Sequence, residues 1–335
     1  CPSIEDKVAR FADKERHQIF IEPEGLGTEE LYINGVSSSL PFDVQMAFLK
    51  SIPAFRNAEV TRPAYAIEYD YVLSGQVGLS LECHTVPGLF LAGQINGTTG
   101  YEEAAAQGLI AGVNAAHKAL GKEPFILGRA ESYIGVMIDD IVTKGVDEPY
   151  RMFTSRAEHR LLLRQDNADL RLRKKGYELG LVDAARYEKL AAKKELIELE
   201  TKRLKSTFVP FEGKNATLAQ LLCRPEITYD RLRELFPDAV HDHGSDVNFQ
   251  LEMIKYDGYI ARQETEVKKF SHIEKIKIPK DFDPKNVKGL RTEAQLKIGR
   301  VKPENLGQAS RIPGVSPADI SVLMIALERH EAAAP

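Results

Sequence analysis

Three groups of residues have types and spacings suited to chemistry. The first is an apolar run, Gly88-Leu89-Phe90-Leu91-Ala92-Gly93, followed by the turn Gln94-Ile95-Asn96-Gly97-Thr98-Thr99-Gly100 and a predicted helix from Tyr101 to Leu120. A strand that hands over to a helix through glycines leaves unpaired N–H groups at the positive end of the helix dipole, a corner suited to an anion. The glycines do not form G-x-G-x-x-G, so by spacing alone an ordinary βα turn fits equally well. The second group lies between Tyr150 and Lys175, with eight basic residues against three acidic ones. Arg156, Arg160 and Arg164 recur at i, i+4 and i+8 and are expected on one face of a helix, either tracking phosphates or paired as a solvated face. The third is Cys1, with Lys7 and Arg10 nearby as cations of the kind that lower a thiol pKa. A lone cysteine is more often incidental than nucleophilic.

Other features narrow the class. Cys1, Cys83 and Cys223 are odd in number and far apart, so neither a disulfide framework nor a zinc or other metal site is expected, in keeping with a reducing cytoplasm. The 335 residues are 43% hydrophobic, enough for two domains, and the net charge of −4 means that any nucleic-acid surface must be local. No apolar run reaches the length of a membrane helix. The opening Cys1-Pro2-Ser3-Ile4-Glu5-Asp6-Lys7 has no initiator methionine and reads like the middle of a loop, as in a fragment of a longer protein.

The elements that must position these groups change character along the chain. Strands are expected at 18–23, 30–35 (stopping at Asn34-Gly35), 65–72 and 88–93, and a helix over 41–51 with Val44, Phe48 and Leu49 on one side. Small residues all round the Tyr101–Leu120 helix suggest close packing on several sides. Beyond Glu131 helical patterns dominate, over 184–205, 217–236, 247–270, 293–299 and 317–329. Leu190, Ile197 and Leu204 mark an amphipathic helix too short in heptads for a coiled coil.

Long strings then become informative. The turn with Tyr101-Glu102-Glu103-Ala104-Ala105-Ala106-Gln107-Gly108, the opening Cys1 to Lys7, Ser39 to Gln45, Glu148 to Glu158, Asp166 to Leu172 and Gly307 to Val315 together closely resemble the GidA/MnmG family over nearly the whole chain. The resemblance implies an α/β protein: the C-terminal part of a Rossmann-like FAD-binding domain with a strand-rich insertion, followed by an all-α C-terminal domain. Its parts would be 1–85 (insertion and NAD side), 86–130 (returning strand, turn and helix) and 131–335 (helical, for tRNA and partner binding).

By the same resemblance, Gly93, Gln94, Asn96, Gly97, Thr98, Thr99 and Gly100 would contact FAD, and Pro2, Ser3, Ile4, Glu5, Asp6 and Lys7 would line the NAD side. Cys1 would be catalytic, either adding to the uridine ring or supporting the cofactor reactions. Arg151, Arg156, Arg160, Arg164, Arg171, Arg173 and Lys174 would bind tRNA, with Tyr150, Phe153 and His159 as stacking candidates. The implied reaction places an aminomethyl-type group on C5 of the wobble uridine, with FAD and NADH as cofactors and methylenetetrahydrofolate as carbon donor. A homodimer and the GTPase MnmE are the implied partners, with MnmE docked on the helical tail. There Ile312 to Ile320 also looks like a helix-hairpin-helix, and Ser316 is a plausible N-cap. Lys268 to Arg300 forms a second basic cluster, ten basic residues against four acidic. Two rivals remain: a tRNA- and MnmE-binding module without flavin, since the first dinucleotide turn is missing, and a flavin oxidoreductase of small molecules without RNA.

Overall fold

The computed structural model describes residues 3–65, 68–73, 75–145, 149–279 and 281–333. It divides into two compact units, Cys1–Asp70 and Tyr71–Pro335.

In the first unit, Ser3 caps α1 (Ile4–Arg10) by accepting a hydrogen bond from the Asp6 N–H at 3.2 Å. Strands β1 (Phe20–Pro23) and β2 (Leu31–Asn34) pair antiparallel with Phe20 opposite Asn34. Gly35 ends β2 at φ +105°, where a side chain would press on the Gln18 carbonyl. Helix α2 (Phe42–Ser51) departs from the apolar face expected of it: Val44 is exposed and Gln45 is buried. The Gln45 amide donates to the Leu40 and Ala64 carbonyls at 2.7 and 3.0 Å and accepts from the Ala64 N–H at 2.9 Å, which a hydrophobic pattern cannot foresee. Within the stretch 65–72, residues 66 and 67 lie outside the described set, and the others form no strand.

In the second unit, 88–93 is not the buried strand expected: Gly88 and Gly93 stand at φ +87° and +82°, Gly93 already opens a 3-10 turn, and the only ladder between them among the described residues is one bridge, Glu82 to Phe90. A strand exists only where a neighbour satisfies its backbone on a continuous register. Helix α3 (Tyr101–Ala119) buries one face, Glu103, Gln107, Ile110, Ala111 and Asn114, whereas Gly108 and Gly112 face open space. Its expected packing on several sides is therefore not found. Helix α4 (Tyr133–Lys144) is buried almost throughout and packs with Val77, Leu81, Ile110 and Tyr150, so 71–85 shares a core with α3 and α4.

The rest is helical as expected, with one two-stranded exception. After α5 (Ala168–Glu178) and α6 (Ala184–Ser206), strands β3 (Phe208–Phe211) and β4 (Lys214–Thr217) form a hairpin. The expected 217–236 helix is divided into α7 (Leu218–Leu222) and α8 (Tyr229–Leu235). The expected 247–270 helix is divided into α9 (Ser245–Glu252) and α10 (Asp257–Lys275). Leu190 and Leu204 are buried on α6, and Ile197 packs against the core that joins α6 to α7, α8 and α9. A last core gathers α11 (Thr292–Val301), α12 (Leu306–Arg311) and α13 (Pro317–Ala333). Ser316 caps α13 as expected, its hydroxyl accepting from the Asp319 N–H at 3.3 Å.

Thr217 starts α7 with a reciprocal box: its hydroxyl accepts from the Gln220 N–H at 3.1 Å, and its own N–H donates to Gln220 Oε1 at 2.9 Å. Thr217→Ala is expected to cost about 1 kcal/mol, read as a lower urea midpoint with an unchanged slope.

Candidate functional site

The turn before α3 is held from behind by one side chain. Gln107, fully buried, accepts at Oε1 from the Gly93 N–H and from Asn96 Nδ2, each at 2.9 Å. Its Nε2 donates to Thr98 Oγ1 at 3.0 Å, and that hydroxyl donates to the Gly93 carbonyl at 2.9 Å. Gly93 and Gly97 stand at φ +82° and +77°, which residues with a Cβ adopt only at a cost.

The outer side is open. Gln94, Ile95 and Thr99 are exposed, and Tyr101 is 91% exposed. Gly100 is the N-cap of α3 and offers no side-chain cap, so the Tyr101 and Glu102 N–H groups of this 19-residue helix have no acceptor among the described residues, while the Glu103 N–H meets its own carboxylate. Two buried acceptors beside them, Asn96 Oδ1 and Glu103 Oε2, have no hydrogen-bond partner among the described residues. A Cβ at Gly100 would run into the Glu103 carboxylate. Burial pushes the Glu103 carboxyl up, but the Met152 N–H at 2.8 Å and Arg151 outweigh this and hold it below the usual range. The corner thus offers free donors on its rim and orphaned acceptors beneath, as a ring bearing both carbonyls and an imide N–H requires.

Of the residues expected to be catalytic or to line an NAD side, Cys1 and Pro2 lie outside the described residues. Ser3, Ile4, Glu5, Asp6 and Lys7 form the start of α1. Glu5 accepts from Ser38 Oγ at 2.6 Å, which holds its carboxyl below the usual range, and Lys7 Nζ donates to the Gly35 carbonyl at 2.9 Å. These two are spent on local structure. Ile4 is half-buried, and Asp6 is exposed opposite Arg10.

The stretch that carries Arg156, Arg160 and Arg164 does not form the expected helix, whereas Arg171, Arg173 and Lys174 lie on α5. Only Thr154–Arg156 makes a short 3-10 turn, and 157–167 is irregular. Ala157 and Leu163 are anchored against Val136, and guanidinium groups take the carbonyls that a helix would give to its own amides. Arg156 donates to the Arg151 carbonyl at 2.8 Å, Arg164 to Leu161 at 2.6 Å and Arg171 to Arg164 at 3.0 Å. Arg164 also pairs with Asp166, and Arg156 lies over the Tyr150 ring. The arginines expected to meet phosphate are therefore partly structural.

Arg160 is exposed and, like Arg173, makes no ion pair among the described residues; Lys174 is exposed, with Glu178 3.7 Å away. Arg151 is half exposed and bound to Glu103 at 3.3 Å. Of the stacking candidates, Tyr150 is buried and unavailable, Phe153 is exposed, and His159 is partly buried. With tRNA held on this segment as the resemblance implies, the double change Arg160→Ala with Lys174→Ala is expected to weaken its binding and to lower the salt slope by about 1 per lost contact. Arg164→Ala is expected to act on stability. Filter binding across a salt series reads the difference.

A buried ion cluster stands behind this segment. Arg129 binds Asp139 at 3.1 Å, Asp140 at 2.6 Å and Glu158 at 2.7 Å. Arg311, from α12, grips both oxygens of Asp139 at 2.7 Å. Burial pushes the Glu158 carboxyl up, but Arg129 holds it below the usual range.

Three family models match the chain: "Glucose inhibited division protein A" over 1–123, "tRNA modifying enzyme MnmG/GidA C-terminal helical domain" over 184–264, and "tRNA modifying enzyme MnmG/GidA C-terminal helical bundle" over 266–334. The chain belongs to the MnmG/GidA family. One relative, the tRNA uridine 5-carboxymethylaminomethyl modification enzyme MnmG of Protochlamydia amoebophila, is 66% identical over 99% of this chain and 53% of its own length. The MnmG of Chlamydia felis is 56% identical over 98% of this chain and 54% of its own length. Among solved structures, Aquifex aeolicus GidA in its form II crystal superposes with a TM-score of 0.87 at 49% identity, covering 98% of this chain and 54% of that one. The chain therefore spans about half the length of the relatives it matches.

In this MnmG/GidA chain, sequence reasoning missed Gln107, Glu103 and the Arg129 cluster. A signal existed for the first two. Glu103, Gln107 and Asn114 are polar residues that share a helical face with Ile110 and Ala111, a pattern of buried polar groups rather than of a solvated side. No helix among the described residues is long and apolar enough to cross a membrane.

Proposed function

We propose that this chain is the turn-bearing and helical half of an FAD- and NADH-dependent enzyme that modifies C5 of the tRNA wobble uridine. In this reading it works as a homodimer with the GTPase MnmE and takes its carbon from methylenetetrahydrofolate. The observation that carries the reading is the uncapped α3 start, open outside and locked inside by Gln107, in a chain of this family. Gln94, Thr99 and the α3 N–H groups would hold the polar edge of the flavin, and Gly93, Gly97 and Gly100 would leave room for its close approach. Bound there, FAD supplies the redox step on the one-carbon unit. The chain's own residues orient the ring and place the positive helix end at its anionic edge. Cys1 is the thiol proposed to act at the uridine, and Arg160, Arg173 and Lys174 steer the anticodon arm by its phosphates. The helical tail would dock MnmE: at its Gly314 turn, the carbonyl is already bound by Arg291 at 2.9 Å, and Lys297 lies against the glycine.

The rival binding-module reading is favoured by one fact, the absence of G-x-G-x-x-G from the chain. The full-length enzyme, incubated with tRNA, MnmE, GTP, an amine donor, methylenetetrahydrofolate, FAD and NADH, tests the proposal when the nucleosides are weighed by mass spectrometry. The expected result is a C5-substituted wobble uridine that disappears without FAD or NADH and is reduced in Cys1→Ser. An unmodified uridine, or product formed without either cofactor, contradicts the proposal.

A further inference from the structure

We propose that Tyr150 is the positioning residue of the turn, clamping Gly97 to the buried ion cluster so that the flavin site keeps its shape; this rests on the reading that FAD binds at that turn. Tyr150 is only 4% exposed and is held at both ends. Its backbone N–H donates to the Gly97 carbonyl at 2.8 Å, and it forms a parallel bridge with Thr98. Its hydroxyl donates to Asp140 Oδ2 at 3.1 Å.

Asp140 is a fixed anchor: it is 1% exposed, and its other oxygen is bound by Arg129 at 2.6 Å and Lys144 at 2.7 Å. Charge-assisted bonds of this kind resist displacement more than neutral ones. The Arg156 guanidinium covers the ring at 4.3 Å from its centre, which closes off sideways motion. Two residues further on, Met152 fixes the other side of the corner through its N–H to Glu103. The turn is therefore held twice from one strap, at Gly97 and at Glu103, and the hydroxyl of Tyr150 is what ties that strap to a rigid base. Groups one step removed from a cofactor act on its affinity and spectrum by orienting the groups that touch it.

A buried tyrosine could instead serve stability alone, and the test separates the two roles. FAD titrations of the full-length enzyme, followed by visible absorbance, compare wild type, Tyr150→Phe and Tyr229→Phe. Tyr229 is the control, since its buried hydroxyl donates to the His241 carbonyl at 3.0 Å in the separate core of α6 to α9. Thermal melts establish that each variant is folded. The expected result is about tenfold weaker FAD binding with a shifted visible band in Tyr150→Phe, and wild-type affinity and spectrum in Tyr229→Phe. Wild-type binding by Tyr150→Phe, or equal losses in both variants, overturns the positioning role. A wild-type enzyme that takes up no FAD overturns the flavin reading itself, and the positioning role with it.

Discussion

With FAD bound as proposed, Gln107→Leu is expected to strip it from the full-length enzyme, weakening binding by about a hundredfold or more. Leucine keeps most of the volume but removes an acceptor and a donor. The Gly93 N–H then has no partner in a buried site, and Asn96 and Thr98 each lose one bond. Leaving such groups unpaired costs about 2–4 kcal/mol in total, and the structure recovers part of it by letting the turn open. That opening is what, in the proposed reading, removes the flavin site. Gln107→Glu is expected to fall between wild type and leucine, because it keeps the acceptor for Gly93 and loses the donor to Thr98. Flavin retained after gel filtration measures both, and full retention by Gln107→Leu would show that the turn is shaped by something else.

Arg129→Met is expected to destabilise the second unit by about 3–5 kcal/mol, the usual cost of removing one partner from a buried ion cluster. Asp139 keeps Arg311, and Asp140 keeps Lys144 and Tyr150, but each loses its contact with Arg129, and Glu158 is left without its partner. The pH dependence carries its own sign. Glu158 is held below the usual carboxylate range in the folded chain, so its contribution is present above the unfolded pKa of about 4.3 and is lost as pH falls through the folded value. In Arg129→Met that contribution is gone, so the fall in stability on acidification from about pH 5 is expected to be shallower than in wild type. Urea midpoints across that range test both points, and an unchanged midpoint at neutral pH would contradict the account.

The corner and α3 were legible because a run of helix-forming residues after a cluster of glycines is a local signal. The amphipathic α6 was legible for the same reason, with Leu190 and Leu204 buried where their spacing placed them. Helix α4 was not, since it is buried almost all round and shows no polar side, and Asp139 and Asp140 look like solvated breaks in an apolar run. One of their partners is remote: Arg311 is 172 positions from Asp139, a separation no window can span. The spacing of Arg156, Arg160 and Arg164 misled because an i, i+4 pattern describes a helix only where the carbonyls are free for amides, and here guanidinium groups take them. The strand expected at 88–93 is not found, because its two glycines take positive φ and whether the residues between them join a sheet depends on a neighbour that the pattern does not contain.

Titration of the flavin-stripped full-length protein with FAD, followed by its visible spectrum, bears most directly on the corner before α3. A saturable yellow complex that Gln107→Leu fails to form is the predicted outcome. A protein that stays colourless at saturating FAD, or a leucine variant that binds as tightly as wild type, would contradict it.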